Sequence, residues 1–264
     1  MASADILTPT AGAGAIYRIN PVAKLAATAV IGIALVLSID WVSASVALAG
    51  EAVLFFFAGL GPRRFVRRTL PVAIAAVFAA ATILLYGRAS GASHWRFLLV
   101  NVTDGSIELS LATLLRVLAI GLPAVVLFVT VDPTDLADGL AQVLRLPSRF
   151  VLGALGGLRL VGLFAEDWKS LELARRARGI ADSGRLRRFA GQAFALLVLS
   201  IRRGSKLATA MEARGFGSSI PRTWARESRF GAKEWMLVAL SFALALAAVG
   251  TSVFTGHWNF LAGA

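Results

Sequence analysis

The sequence predicts an all-α, polytopic membrane protein with about five transmembrane helices and long cytoplasmic amphipathic helices. Hydrophobic residues make up 57% of the 264 residues and charged residues only 16%, whereas a soluble domain has roughly 45–50% apolar and about 25% charged residues. Several apolar stretches approach the length of about 20 residues that a spanning helix needs. Lys and Arg residues lie beside these stretches, which is typical of cytoplasmic loops.

The composition also narrows the function classes. The chain has no cysteine, which leaves no disulfide, no thiolate metal site and no cysteine nucleophile. The two histidines, His94 and His257, are far apart in sequence, so we expect no metal site. The formal charge of +12 fits an anionic membrane surface better than nucleic acid, because aromatic residues do not clearly interleave with the basic ones.

Three regions are predicted along the chain. Residues 1–131 form an N-terminal membrane domain with about four spans, residues 132–234 a cytoplasmic domain, and residues 235–264 contain the last span. An odd number of spans places the N-terminus inside and the C-terminus outside, with the arginines of Arg63–Arg68 inside. The predicted spans are Leu25–Ile39 (extended by Pro21–Lys24), Ala44–Leu60, Leu70–Tyr86, Ile107–Val131 and Trp235 to about Phe254.

Polar and helix-breaking residues set the limits of these spans. Asp40 and Trp41 separate the first two, and Pro71 suits the first turn of the third. Gly87–Ser106 is a longer mixed loop, which alternation places outside. A secretory signal is the alternative interpretation of the first stretch, but the second span follows within a few residues, which favours a helical hairpin.

Two charges lie inside predicted spans, Glu51 in the second and Arg116 in the fourth. Charges at this depth face the protein interior and mark either a packing contact or a transport pathway. Both interpretations stay open at this point, and so does an ion pair between the two residues.

The cytoplasmic region begins with a helix start and a broken apolar segment. Asp132-Pro133-Thr134-Asp135 combines an N-cap, a proline at the first helical position and an acidic first turn. The helix it starts is expected to end before Pro147. Whether the apolar residues 150–165, which Arg159 interrupts, enter the membrane is left open by the sequence.

Two further helices in this region are expected to end in the same motif. They run from about Phe164 to Arg178 and from about Phe189 to Arg214. Each end reads Ala-x-x-Ala-Arg-Gly followed by a large apolar residue, and the two copies are 36 positions apart. The motif residues are Ala177, Arg178 and Gly179 in the first copy and Ala213, Arg214 and Gly215 in the second.

The residue types of the motif suit a helix end that docks into a groove. Glycine ends a helix in the left-handed conformation, and alanine keeps the end narrow. Arginine presents a planar fork that binds a carboxylate in two places. The two copies therefore predict two docking tips, although a single copy would indicate only a helix cap with a solvated arginine.

A pair of such motifs in a membrane protein of this size resembles the T component of energy-coupling factor (ECF) transporters, a class of ABC importers. Tyr17–Leu25 is similar to the opening of that family, with Asn20 where Asp is usual. Later matches to the family are Asp132–Leu136, the residues Arg159, Glu166 and Ala174 with Arg176–Gly179, and Ala210–Phe216. The resemblance implies a non-enzymatic scaffold of the bacterial cytoplasmic membrane, without a cofactor of its own. It implies as partners two cytoplasmic ATPases, which bind the ATP and engage Arg178 and Arg214, and a membrane S component that binds a vitamin or transition-metal ion.

Two alternatives are weighed against this resemblance. A conventional ABC importer permease also has a cytoplasmic coupling helix, but normally one per subunit, whereas this chain has two equivalent tips. A membrane-embedded enzyme needs a nucleophile, a metal cluster or paired carboxylates, and Glu51 is the one acidic residue well inside a predicted span. The sequence has no Gly-Lys phosphate-binding loop, so ATP hydrolysis is expected from a partner.

Overall fold

A computed structural model of the chain describes residues 15–57, 62–87, 90–97, 100–179, 184–218 and 223–256. These residues form eight α-helices, a short 3₁₀ turn at Ala15–Arg18 and one two-stranded antiparallel hairpin. The predicted all-α, polytopic class is confirmed. The elements are α1 (Pro21–Val36), α2 (Trp41–Phe57), α3 (Pro62–Tyr86), β1 (Ser93–Phe97), β2 (Val100–Thr103), α4 (Asp104–Thr130), α5 (Pro133–Gln142), α6 (Ser148–Ala177), α7 (Arg185–Ala213) and α8 (Ala232–Phe254).

The chain divides into two compact units. One, the membrane unit, consists of Pro9–Gly139 and Ser228–Ala264, and the other, the coupling unit, contains Leu140–Glu227. The chain therefore passes from the membrane unit to the coupling unit after Gly139 and returns to it at Ser228.

Among the described residues, four helices are long and apolar enough to cross a membrane: Phe65–Tyr86, Asp104–Leu127, Ser148–Ala177 and Ala232–Phe254. Helices α1 and α2 are apolar but shorter, with 16 and 17 residues. The sequence predicted spans at both positions, although residues 58–60 of the second lie outside the described residues.

Two of the long helices differ from their predicted limits. Helix α3 begins at Pro62, so Pro71 lies inside it and not in its first turn. Pro62 offers the same first-turn signal nine positions earlier, and the hydrogen bond that Pro71 removes does not end the helix. Helix α6 is one helix of 30 residues, because no proline separates the apolar residues 150–165 from the charged stretch that follows.

The core of the membrane unit is built from small side chains. Ala47, Ala119 and Ala248 on α2, α4 and α8 are buried together with Ile31 and Leu35 of α1. Alanine lets helix backbones approach closely, which is how helices associate where lipid removes the hydrophobic driving force.

The turn between α1 and α2 is polar, and the carboxylate of Asp40 accepts hydrogen bonds within it. Asp40 accepts hydrogen bonds from the backbone N–H of Ser43 at 2.6 Å and from its hydroxyl at 2.8 Å, which is an N-cap for α2. Burial acts to raise the pKa of Asp40, but hydrogen bonding from Ser38 and Ser43 outweighs it and holds the pKa below its ordinary value. The carboxylate therefore stays charged at the end of α1.

The predicted loop Gly87–Ser106 contains the hairpin β1–β2, with Phe97 opposite Val100 and Arg96 opposite Asn101. The hairpin contains a run of aromatic and β-branched residues, which is typical of strands. The sequence analysis predicted only a loop here. Thr103 then caps α4 in a reciprocal capping box with Ser106.

Candidate functional site

The first candidate tip is the C-terminal end of α6. The helix ends at Ala177, and the backbone N–H of Arg178 donates back to the carbonyls of the last turn. Gly179 follows in the left-handed conformation with φ +67°, and its N–H donates to the Arg176 carbonyl at 3.1 Å. A side chain at Gly179 would be strained by this φ alone, since nothing lies within 4 Å of the position of a Cβ.

The second tip, at the end of α7, has the same construction. The helix ends at Ala213, and Gly215 adopts φ +75°. The N–H of Gly215 donates to Glu212 and that of Phe216 to Met211, both at 2.9 Å. These two bonds form a complete Schellman cap, so the apolar residue after the glycine is part of the cap. Ile180, its counterpart in the first copy, lies outside the described residues.

Both motif arginines are exposed, and so are the alanines before them. Within the described part of the chain, neither Arg178 nor Arg214 forms an ion pair, whereas Arg176 binds Glu172 at 2.5 Å. The caps are made by backbone atoms, so the guanidinium groups are not needed to end the helices and remain available to a partner.

An ion pair joins the two helices that carry the tips. Arg203 of α7 binds Asp167 of α6 through both nitrogens, with Nη1–Oδ2 at 2.6 Å and Nη2–Oδ1 at 2.9 Å. Asp167 lies eleven residues before Arg178, and Arg203 lies eleven residues before Arg214. Sequence reasoning missed this pair, although its spacing of 36 equals that of the motif repeat.

Further contacts show that α6 and α7 are antiparallel. Toward the start of α7, Phe189 packs on Trp168 with ring centroids 5.5 Å apart, and Gly191 lies against the guanidinium of Arg175. Near its end, Leu207 lies against Gly156. The C-terminal part of α6 thus lies beside the start of α7, and the N-terminal part of α6 lies beside the end of α7.

The antiparallel arrangement places the two tips at opposite ends of the helix pair. The first tip belongs to the end of α6 that lies beside the start of α7, and the second is the far end of α7, where Gly217 lies against Arg149 near the start of α6. Helix α7 has 29 residues, so at 1.5 Å per residue it is about 44 Å long.

The two tips differ in charge. The eight residues Glu172–Gly179 contain three arginines and one glutamate, whereas the equivalent Ala208–Gly215 contains one arginine and one glutamate. The last turn before the shared motif holds Arg175 and Arg176 in the first copy, and Met211 and Glu212 in the second. The first tip is therefore the more basic of the two.

The structure does not bring the intramembrane charges Glu51 and Arg116 together. Arg116 donates through Nη2 to the carbonyl of Val36 at 2.7 Å and is attracted by Asp40, so it caps the C-terminal end of α1. Glu51 is 1% exposed, and both its carboxyl oxygens lack a hydrogen-bond partner among the described residues. It lines an apolar cavity of about 280 Å³ with Lys24, whose ammonium donates to Thr130.

We expect Glu51→Leu to raise the thermal stability of the protein in detergent. A buried polar group without a partner costs about 1–3 kcal/mol, and leucine removes that cost while keeping most of the volume. Thermal unfolding of purified wild type, Glu51→Leu and Glu51→Gln tests this, and the Gln variant should gain less because it stays polar. A Leu variant less stable than wild type would show that the carboxyl group has a stabilising contact.

Groups of three or more potential metal ligands do not occur among the described residues. His94 instead pairs with Asp104 at the start of α4, at 2.5 Å, and His257 lies outside the described residues.

The chain thus combines an apolar helical membrane unit with an antiparallel helix pair that carries two exposed tips. A family model, CbiQ, described as cobalt transport protein, matches residues 13–223. The energy-coupling factor transporter transmembrane protein EcfT of Exiguobacterium sibiricum is 28% identical over 74% of this chain and 80% of its own length. The EcfT of Limosilactobacillus fermentum is 26% identical over 79% and 81%, and that of Bacillus selenitireducens is 32% identical over 50% and 54%.

The chain therefore belongs to the CbiQ family, whose members include the transmembrane T components of energy-coupling factor transporters. It is a multi-pass protein of the bacterial cytoplasmic membrane and works within a transporter complex with other subunits. Its relatives are transporter components and not enzymes.

Proposed function

We propose that this chain is the scaffold that joins two cytoplasmic ABC ATPases to a small substrate-binding membrane protein, the S component, and transmits ATP-driven motion between them. The observation that supports this most directly is the pair of like tips at opposite ends of one antiparallel helix pair. Two ATPases need two docking points, and one chain here offers both.

Each tip supplies the chemistry of a docking contact. Arg178 would bind acidic residues in the groove of one ATPase, and Arg214 those of the other, because a guanidinium binds a carboxylate through two parallel hydrogen bonds. Ala177 and Ala213 keep the tips narrow, and the glycine caps turn the chain away directly behind each arginine. ATP itself is held by the partners, and this chain needs no cofactor.

Because the two tips differ in charge, we expect the grooves that bind them to differ in charge as well. The α6 tip, with Arg175 and Arg176 beside Arg178, fits a more acidic groove than the α7 tip, where Met211 and Glu212 precede Arg214. Salt screens exposed charge pairs, so docking of the α6 tip should be the more sensitive to ionic strength.

The S component is expected on apolar surface. Large apolar side chains are exposed on both helices of the coupling unit, which is unusual for a monomer in water and marks a contact with lipid or protein. These exposed residues include Phe150, Leu158, Val161, Phe194, Leu197 and Ile201.

ATP binding would close the ATPases, displace the two tips and thereby reorient the S component, which carries the vitamin or transition-metal ion.

Purification of the tagged chain in mild detergent, followed by identification of the bound proteins, tests this function. We expect two ATPases, or one protein with two ATPase domains, together with a small polytopic membrane protein. A homodimer that co-purifies with a periplasmic or lipoprotein receptor would instead identify a conventional ABC importer permease, the alternative function.

A further inference from the structure

Asn20, at the start of α1, uses every hydrogen-bonding atom of its side chain. Its Oδ1 accepts from the N–H of Val22 at 3.0 Å, which caps α1. Its Nδ2 donates to the Ser228 hydroxyl at 2.8 Å and to the Arg229 carbonyl at 2.9 Å. Its backbone N–H donates to Glu234, in the first turn of α8, at 3.2 Å. The residue is 9% exposed, so these bonds are largely shielded from water.

These bonds hold the point at which the chain returns to the membrane unit, which it re-enters at Ser228. The point of departure, Gly139, is packed against the same group. A Cβ added to Gly139 would lie 2.7 Å from Val22 Cγ2, 3.1 Å from Asn20 Oδ1 and 3.5 Å from Ser228 Oγ. The chain passes between the two units twice, and both passages, at Gly139 and at Ser228, are therefore in contact with Asn20.

The two passages are tied to each other a second time within the coupling unit. The side-chain amide of Gln142, three residues beyond Gly139, donates to the carbonyl of Arg226 at 2.9 Å. The outgoing and returning segments are thus held together by one amide side chain in each unit.

We propose that Asn20 is a positioning residue for energy coupling, one that passes displacements of both chain passages to α1 and α8. The proposal rests on the proposed function. A segment that connects two units transmits a displacement only if it is held where it enters the second unit. Here Asn20 at the N-cap of α1 and Glu234 in the first turn of α8 hold both connecting segments at the membrane unit. These two helices share the core around Ile31, Leu35 and Ala248, so they respond together.

In this chain the amide of Asn20 makes three side-chain hydrogen bonds. Aspartate could still cap α1 and accept from Ser228, but it cannot donate to the Arg229 carbonyl, and it would bring a second carboxylate beside Glu234. Asn20→Asp therefore weakens the fastening while it keeps the helix cap, whereas Asn20→Ala removes all three side-chain bonds.

The test measures the movement of α1 in the assembled complex. Nitroxide labels are attached to cysteines at Ile33 on α1 and Phe78 on α3, which are 63% and 70% exposed, and the distance between them is measured by pulsed electron paramagnetic resonance with and without ATP and vanadate. We expect an ATP-dependent change in the otherwise wild-type complex. Asn20→Ala should lose at least half of it, and Asn20→Asp a smaller part, while ATPases remain bound and active.

Ser43→Ala is the matched control, because it also removes buried hydrogen bonds in the membrane unit, those to Asp40 and Ser38, but far in sequence from both passages. It should lower thermal stability and leave the distance change intact. The proposal is overturned if assembled Asn20→Asp and Asn20→Ala complexes keep the full distance change, or if Ser43→Ala loses as much. A wild-type chain that binds no ATPase would refute the proposed function itself, which the purification shows separately.

Discussion

The double variant Arg178→Glu/Arg214→Glu is expected to lose its ATPases on purification and to lose uptake. Truncating one partner of a desolvated, hydrogen-bonded charge pair costs about 2–5 kcal/mol, and charge reversal against an acidic groove costs at least as much. One such loss is survivable in an assembly with other contacts, so each single variant should retain weakened coupling. Co-purification of ATPases, their hydrolysis rate and uptake by whole cells measure the effect.

The control for this experiment carries the same change in charge at other exposed positions of the coupling unit. Arg187 and Arg202 are both exposed on α7, and the double variant Arg187→Glu/Arg202→Glu should assemble nearly normally. Folding should survive in both double variants, because backbone atoms make the two caps. Full uptake and a stable ATPase complex in the Arg178/Arg214 variant would refute the docking function of both motifs.

Breaking the ion pair between Asp167 and Arg203 is expected to have the second largest effect. This pair fixes α6 against α7 at equal sequence distances from the two tips, and hydrogen bonds to charged groups contribute about 1.5–3 kcal/mol. Asp167→Arg and Arg203→Asp should each lower thermal stability and reduce uptake strongly, because each places two like charges in contact. The exchanged double variant Asp167→Arg/Arg203→Asp should recover most of both.

A double-mutant cycle on thermal stability and uptake measures this coupling. The exposed pair Glu172–Arg176 on α6 is the matched control, since such i,i+4 pairs contribute only about 0.3–0.5 kcal/mol. Arg176→Ala should therefore have little effect on stability. If the exchanged variant were as defective as the single ones, the ion pair would not be what holds the two helices in register.

The parts of the structure that depend on neighbouring residues could be predicted from the sequence. The helix ends at Gly179 and Gly215 were predicted correctly, because a left-handed cap is set by the glycine and the turn before it. The apolar stretches of the membrane unit were also located, because hydropathy is a property of each segment by itself. Docking of Arg178 and Arg214 to ATPases stays a prediction.

Features that depend on distant residues were missed or left open. The sequence left open whether Glu51 and Arg116 form an ion pair. In the structure Arg116 donates to the carbonyl of Val36 instead. This contact depends on the packing of α4 against the end of α1, which the sequence does not show. The role of Asn20 was not foreseen, since its partners at Ser228 and Arg229 lie more than 200 positions away.

The most direct test of the central claim is site-specific cross-linking from each tip. The chain has no cysteine, so Ala177→Cys and Ala213→Cys can be made singly and coupled to a short photoactivatable cross-linker in the assembled complex. Peptide mapping of the products should show each tip joined to a groove of an ATPase or ATPase domain, with the two tips on different copies or domains. Cross-links from both tips to lipid or to the S component alone, with ATPases present in the complex, would contradict the account.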